Sequence, residues 1–165
     1  MHKLPLACLA AGLLGLSVVP ASAALSSIDK EFMEKAASSG MAEVQAAQLA
    51  QQRASSPQVR QFASRMITDH TQANSELQQI AEQMNVTLPS KPTGRDATAA
   101  QRLIGLNSTD FDQAYAQQEL RDHQQDVALF RREALSGRDP ALKAFAQKTL
   151  PVLQQHLQMA QALNR

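Results

Sequence analysis

His70, His123 and His156 each fall within an apolar stripe at helical spacing. His70 continues the face of Phe62, Ala63, Met66, Ile67, Ala73 and Leu77. His123 shares a face with Ala116, Leu120, Val127, Phe130 and Ala134, and His156 sits among Leu153, Leu157 and Ala160. Glu43 lies on a face of small residues, between Gly40 and Ala47. Such groups are costly to bury unless they are paired or coordinated. Neutral imidazoles with one carboxylate are suitable ligands for zinc, copper or iron. Asp69, Glu119, Asp122 and Asp126 are close enough in sequence to hydrogen-bond and orient those imidazoles. Glu119 precedes His123 by four residues, within ion-pair reach on one helix. Met66 and Met159, also near histidines, would tilt the choice toward copper, although methionine at helical spacing is ordinarily core filling. The competing reading is structural: the histidines hydrogen-bond to Glu43, Asp122 or backbone carbonyls and specify helix register. Taken alone, Asp69 and Asp122 read as solvated positions.

Four helices are needed to position these groups. Periodicity predicts them at about Asp29–Ala54, Pro57–Asn85, Thr109–Leu135 and Asp139–Leu163. Ser55-Ser56-Pro57 and Asp139-Pro140 supply a capping side chain followed by a first-turn proline. Ser136-Gly137 predicts a left-handed glycine ending the third helix, and Pro151 predicts a kink in the fourth. The stretch Ser56–Ala63 echoes Asp139–Ala146, with proline, aliphatic, basic, phenylalanine and alanine at the same offsets. The chain therefore reads as two helical hairpins joined by the link Val86–Ser108, within which Ala97–Leu106 is expected to form a short helical piece. A long crossover between two hairpins predicts an all-α, ferritin-like four-helix bundle; an up-down bundle with a loose middle loop is the alternative. Glu43 lies fourteen residues before Pro57 and His70 thirteen after it, so the two should be level. His123, seventeen before Pro140, and His156, sixteen after it, should be level as well. Either topology brings the two pairs to similar depth.

Residues 1–23 read as a secretory signal: Lys3, the apolar run Leu4–Val19, and the small-x-small sequence Ala21-Ser22-Ala23. Cys8 comes too early, in too poor a context, for a lipid anchor. Residues 24–165 then form one domain of a size that builds a single core. Loss of Lys3 brings the 16 basic residues to 15, equal to the 15 acidic ones. That balance argues against nucleic-acid or anionic-membrane partners. Cys8 is the only cysteine, so the processed chain has neither disulfide nor thiolate ligand. No phosphate-binding glycine loop, paired-histidine zinc-protease motif or nucleophile elbow is present.

A set of motifs places the chain further: Gly40-Met41-Ala42-Glu43-Val44; Ser56-Pro57 with Phe62-Ala63, Met66, Asp69-His70, Ala73-Asn74 and Leu77; Leu88-Pro89; Phe111-Asp112 with Tyr115; Asp122-His123; and Leu142-Lys143-Ala144-Phe145-Ala146 with Leu150-Pro151 and His156. Over about Asp29 to Leu163 it resembles the exported bacterial family called domain of unknown function 4142, often labelled an outer membrane protein. The resemblance implies a ferritin-like fold but no settled activity. Ferritin-like di-iron enzymes use a glutamate three residues before the histidine on two helices. Here those positions are Ile67, Leu120 and Leu153, which disfavours iron storage and oxygen-activating di-iron chemistry. No transmembrane strand pattern or second apolar span is visible, so a soluble periplasmic protein is expected, not inserted in a membrane once the signal is cleaved. Two functions follow. The first is a non-catalytic periplasmic binding or structural module, linked to envelope stress. The alternative is a metal-binding protein, zinc or copper before iron, with Glu43, His70, His123 and His156 as ligands and Asp69, Glu119 and Asp122 supporting them. An enzyme built on that metal would further need an open coordination position and a substrate pocket. Partner proteins and oligomeric state leave no trace in the sequence.

Overall fold

The computed structural model describes residues 25–165. The expected signal at residues 1–23, with Lys3 and Cys8, lies outside the described residues. The described chain is all helical. Its four long helices are α1 (Ser27–Arg53), α2 (Pro57–Gln83), α4 (Ser108–Ser136) and α5 (Pro140–Leu163), with a short α3 (Gln101–Ile104) in the link. A single 3-10 turn, Asp96–Thr98, precedes α3, so the short helical piece expected at Ala97–Leu106 is present but broken in two.

Local chemistry sets the boundaries. Ser26 and Asp29 form a reciprocal capping box at the start of α1, with hydrogen bonds of 3.1 and 3.2 Å. Ser56 caps α2 and Asp139 caps α5, each followed by proline at the first helical position, where its missing N–H costs nothing. Left-handed backbone is found not at Gly137, as expected, but at Asn85, φ 56°, and at Gly94 in the link, φ 54°. Asn85 ends α2, and the N–H of Val86 returns to the Ala81 carbonyl at 2.8 Å. Gly137 is extended, at φ −58° and ψ 151°. It is required for space: a Cβ there would meet the Glu133 carboxyl at 2.1 Å and the Glu133 carbonyl at 2.7 Å. α5 continues as one helix through Pro151.

α1 packs against α2 and α4, and α5 against α4 and α2. The turns of the two hairpins lie at opposite ends. The α1–α2 turn meets the beginning of α4, where Asp112 accepts from the N–H groups of Ser55 and Ser56 at 3.1 and 2.8 Å. The α4–α5 turn meets the beginning of α1, where Asp29 accepts from the N–H groups of Arg138 and Asp139 at 2.8 and 3.4 Å. The link therefore runs the length of the molecule. At its far end Arg53 donates to the carbonyls of Ile104 and Leu106. The core has two apolar clusters, one around Phe32, Phe130 and Phe145, the other around Phe62, Phe111 and Tyr115. The histidines occupy the layer between them. Among the described residues, no helix is long and apolar enough to cross a membrane.

Candidate metal centre

Each long helix contributes to this layer. α1 brings Glu43, α2 brings Asp69 and His70, α4 brings Glu119, Asp122, His123 and Asp126, and α5 brings His156. His123 and His156 are fully enclosed, and His70 and Glu43 are 5 % and 3 % exposed. One ring nitrogen from each histidine lies within 4.8 Å of the other two. The ring centroids form a nearly equilateral triangle, with sides of 5.4, 5.4 and 5.6 Å. Three imidazoles sharing one zinc ion at ordinary Zn–N lengths would place their centroids about 5 Å apart.

The other ring nitrogens fix how the imidazoles are protonated. His123 Nδ1 lies 2.9 Å from the carbonyl oxygen of Glu119. A carbonyl only accepts, so Nδ1 carries the proton and Nε2 the lone pair. His156 Nε2 lies 2.8 Å from Asp69 Oδ2, which puts the proton on Nε2 and leaves the Nδ1 lone pair free. His70 Nδ1 lies 3.0 Å from Glu43 Oε2, close to the carboxylate although off the hydrogen-bond direction. The remaining nitrogens, His70 Nε2, His123 Nε2 and His156 Nδ1, are all buried with no hydrogen-bond partner. Burial holds all three histidines below their ordinary range, and in His123 and His156 neighbouring imidazoles add to the effect; His156 falls to about 4. At neutral pH the cluster is therefore uncharged and rich in lone pairs, the state a metal requires.

A second group of carboxyls surrounds the Nδ1 side of His123. Glu43 Oε1 and Glu119 Oε2 each lie 3.6 Å from that nitrogen, and their four oxygens lack hydrogen-bond partners. Burial raises Glu43 to about 8, and Asp122 and Asp96 push it the same way. Burial and the neighbouring Glu43 raise Glu119 and Asp126 well above the carboxylate range. His123 Nδ1 already donates to a carbonyl, so Glu43, Glu119 and His123 form a proton-rich flank to the imidazole triangle. Tyr115 is enclosed beside it, with its hydroxyl unpartnered.

The structure thus brings Glu43, His70, His123 and His156 together, with Asp69 and Glu119 against the imidazoles. Asp69 is not a solvated position: it turns inward to His156 while also accepting from Arg65 Nε at 3.2 Å. Asp122 is half-buried and faces the neighbouring cavity rather than a histidine. Met66 and Met159 pack into the apolar cluster around Phe62 and do not line the cavity beside the histidines, which is the core-filling role. Sequence reasoning had no signal for Tyr115 as a polar neighbour, since its spacing is that of a core residue. A family described as Domain of unknown function (DUF4142) has a model that matches residues 16–163. No curated protein and no solved structure matches the chain.

Proposed function

The chain belongs to the DUF4142 family, and on that premise we propose that it is an exported, periplasmic, ferritin-like four-helix bundle that binds a transition metal, zinc or copper, on His70, His123 and His156. One observation carries the reading. His123 and His156 are each held by an acceptor on one nitrogen and His70 lies beside Glu43, yet all three keep a buried, unpartnered nitrogen, and one ring nitrogen of each lies within 4.8 Å of the other two. Histidines serving only to fix helix register would be expected to spend both ring nitrogens. Three neutral nitrogen donors with carboxylates behind them favour zinc or copper over a hard cation. Solvent is the candidate for the fourth position, since Glu43 lies beside the other nitrogens of His70 and His123. The ring of four packed helices and the lengthwise link support the ferritin-like placement, and the apolar run with its small-x-small ending supports export. The cavity beside the histidines, about 20 Å³, holds a water-sized particle, which favours binding over turnover of a sizeable substrate.

Elemental analysis tests this. The processed protein should retain about one zinc or copper ion per chain after dialysis, in keeping with one three-histidine site. The His70→Ala/His123→Ala/His156→Ala variant should retain none while keeping its helical circular dichroism. A folded wild type that takes up neither metal would return the histidines to a polar-core role.

A further inference from the structure

The imidazole triangle is enclosed, so an ion needs a way in. Two faces approach it. The cavity touching the histidines is bordered on its α2–α5 side by Asn74, Thr149 and Val152, where Asp69 is the acidic group, and on its α1–α4 side by Glu43 and Asp126. Asp69 is already engaged by Arg65 and His156. Between α1 and α4, under the crossing link, the lining is different. A cavity of about 20 Å³ there is bordered by Glu43, Asp96, Asp122 and Asp126, with Gln118 and Ser39. It shares Ser39, Glu43 and Asp126 with the histidine cavity, and Ser39, Arg95, Asp96 and Asp126 with an open groove on the surface.

The four carboxyls grade inward. Asp96 and Asp122 are half-buried, Asp126 is 6 % exposed and Glu43 is 3 % exposed. Both oxygens of Glu43 are buried without a hydrogen-bond partner. Among the described residues, Asp96, Asp122 and Asp126 do not form a cluster as tight as the histidine one, so they do not make a chelating site of their own. Carboxyls in sequence from surface to core, too far apart to hold an ion together, suit transfer rather than storage. The positive groups on this face are accounted for. Arg95 borders the cavity and reaches Gln125; Arg121 and Arg102 act on Asp122 from a distance; Lys35 and Arg132, at the outer groove, are both paired with Glu31. The link is latched over this path by Thr93 N–H donating to Ser38 Oγ at 3.0 Å and Ser38 donating to Asp96 at 2.6 Å.

We infer that a divalent cation reaches the histidines through this seam between α1 and α4, with Asp96 and Asp122 drawing it beneath the link and past Asp126 and Glu43. The inference rests on the metal-binding reading above and adds the route. A residue on the route that is absent from the bound state changes association and dissociation together and leaves the equilibrium constant alone. A residue that shapes the site changes the equilibrium constant.

Stopped-flow uptake of cobalt(II), followed by its visible ligand-field absorbance, separates the two. The Asp96→Asn/Asp122→Asn variant should take up cobalt on the order of tenfold more slowly, with a flatter dependence on ionic strength and an unchanged dissociation constant. Arg95→Gln, which removes the cation bordering the cavity, should speed uptake. An unchanged rate in the double variant overturns the route. So does a change in the dissociation constant matching the change in rate. Slowing by Thr149→Trp alone would move the path to the α2–α5 face. A wild type that develops no cobalt absorbance at all overturns the metal site itself, which is a separate and recognisable failure.

Discussion

Replacing Glu133 with glutamine should stabilise the protein above neutral pH and do little below pH 5. Glu133 is fully enclosed near the end of α4, and neither carboxyl oxygen has a hydrogen-bond partner. Burial first, and then the neighbouring Asp29 carboxylate, lift it from 4.5 to about 7. Burial also pushes Asp29 up, but hydrogen bonds from Ser26, Arg138 and Asp139 outweigh it and hold Asp29 below its ordinary value. Asp29 is therefore the charged member of the pair and Glu133 the protonated one. A carboxyl whose pKa is higher in the folded state contributes its full stability below the unfolded value. That stability is lost as pH rises through the folded value, here between about 4.5 and about 7. At about 1.4 kcal/mol per pKa unit the ceiling is about 3 kcal/mol. Relaxation of the surroundings around a buried carboxylate lowers this ceiling, and about 1–2 kcal/mol is the working figure. Glutamine keeps the shape and can donate to Asp29 without titrating. Urea unfolding followed by circular dichroism, in chelator, at several values from about pH 5 to about pH 8, gives the difference between variant and wild type. That difference should grow by about 1–2 kcal/mol across the range. Taking it against the wild type removes the contributions of Glu43, Glu119 and Asp126, which both proteins share. A difference that stays flat from acid to base would refute the assignment of the proton to Glu133.

Three further outcomes are expected. Asp112→Ala strips the acceptor from the Ser55 and Ser56 N–H groups and should cost about 1–3 kcal/mol in urea unfolding; Asp112→Asn should recover part of that. Gly137→Ala should cost more than Gly40→Ala. The added methyl at Gly137 meets a backbone carbonyl, whereas at Gly40 it meets the movable end of Asn74; melting temperatures should rank them, with Gly137→Ala losing about 1–3 kcal/mol. Zinc at about 100 times its dissociation constant should stabilise the wild type by about 2.7 kcal/mol, and the triple histidine variant not at all, as read by thermal unfolding.

The helices, the hairpin turns and the apolar faces were legible because proline, serine and aspartate announce themselves locally. Ser56-Pro57 and Asp139-Pro140 determine their caps without reference to the rest of the chain. Counting from those prolines also brought Glu43, His70, His123 and His156 to a common depth. What could not be read depended on partners from other helices. Asp69 looks solvated on α2 alone and turns inward only because His156 arrives from α5. Which nitrogen of each histidine is free follows from such contacts, not from spacing. Gly137 was misread for a different reason: its need for glycine comes from crowding by the side chain and carbonyl of Glu133, one turn earlier on α4, not from a left-handed turn. Asn85 took that role at the end of α2, where the residue type permitted it but nothing nearby required it.

The paired carboxylates at the two hairpin turns make the molecule self-complementary. Asp29, near the start of the first hairpin, closes the turn of the second; Asp112, near the start of the second, closes the turn of the first. This is the reciprocal contact of a two-fold dimer, realised inside one chain. Each half also carries an incomplete share of the imidazole triangle, His70 on one and His123 with His156 on the other. Neither half can close its own turn or assemble the three nitrogens alone. The protein can thus be regarded as two subunits fused in one chain, whose three-histidine group forms at the seam of their association.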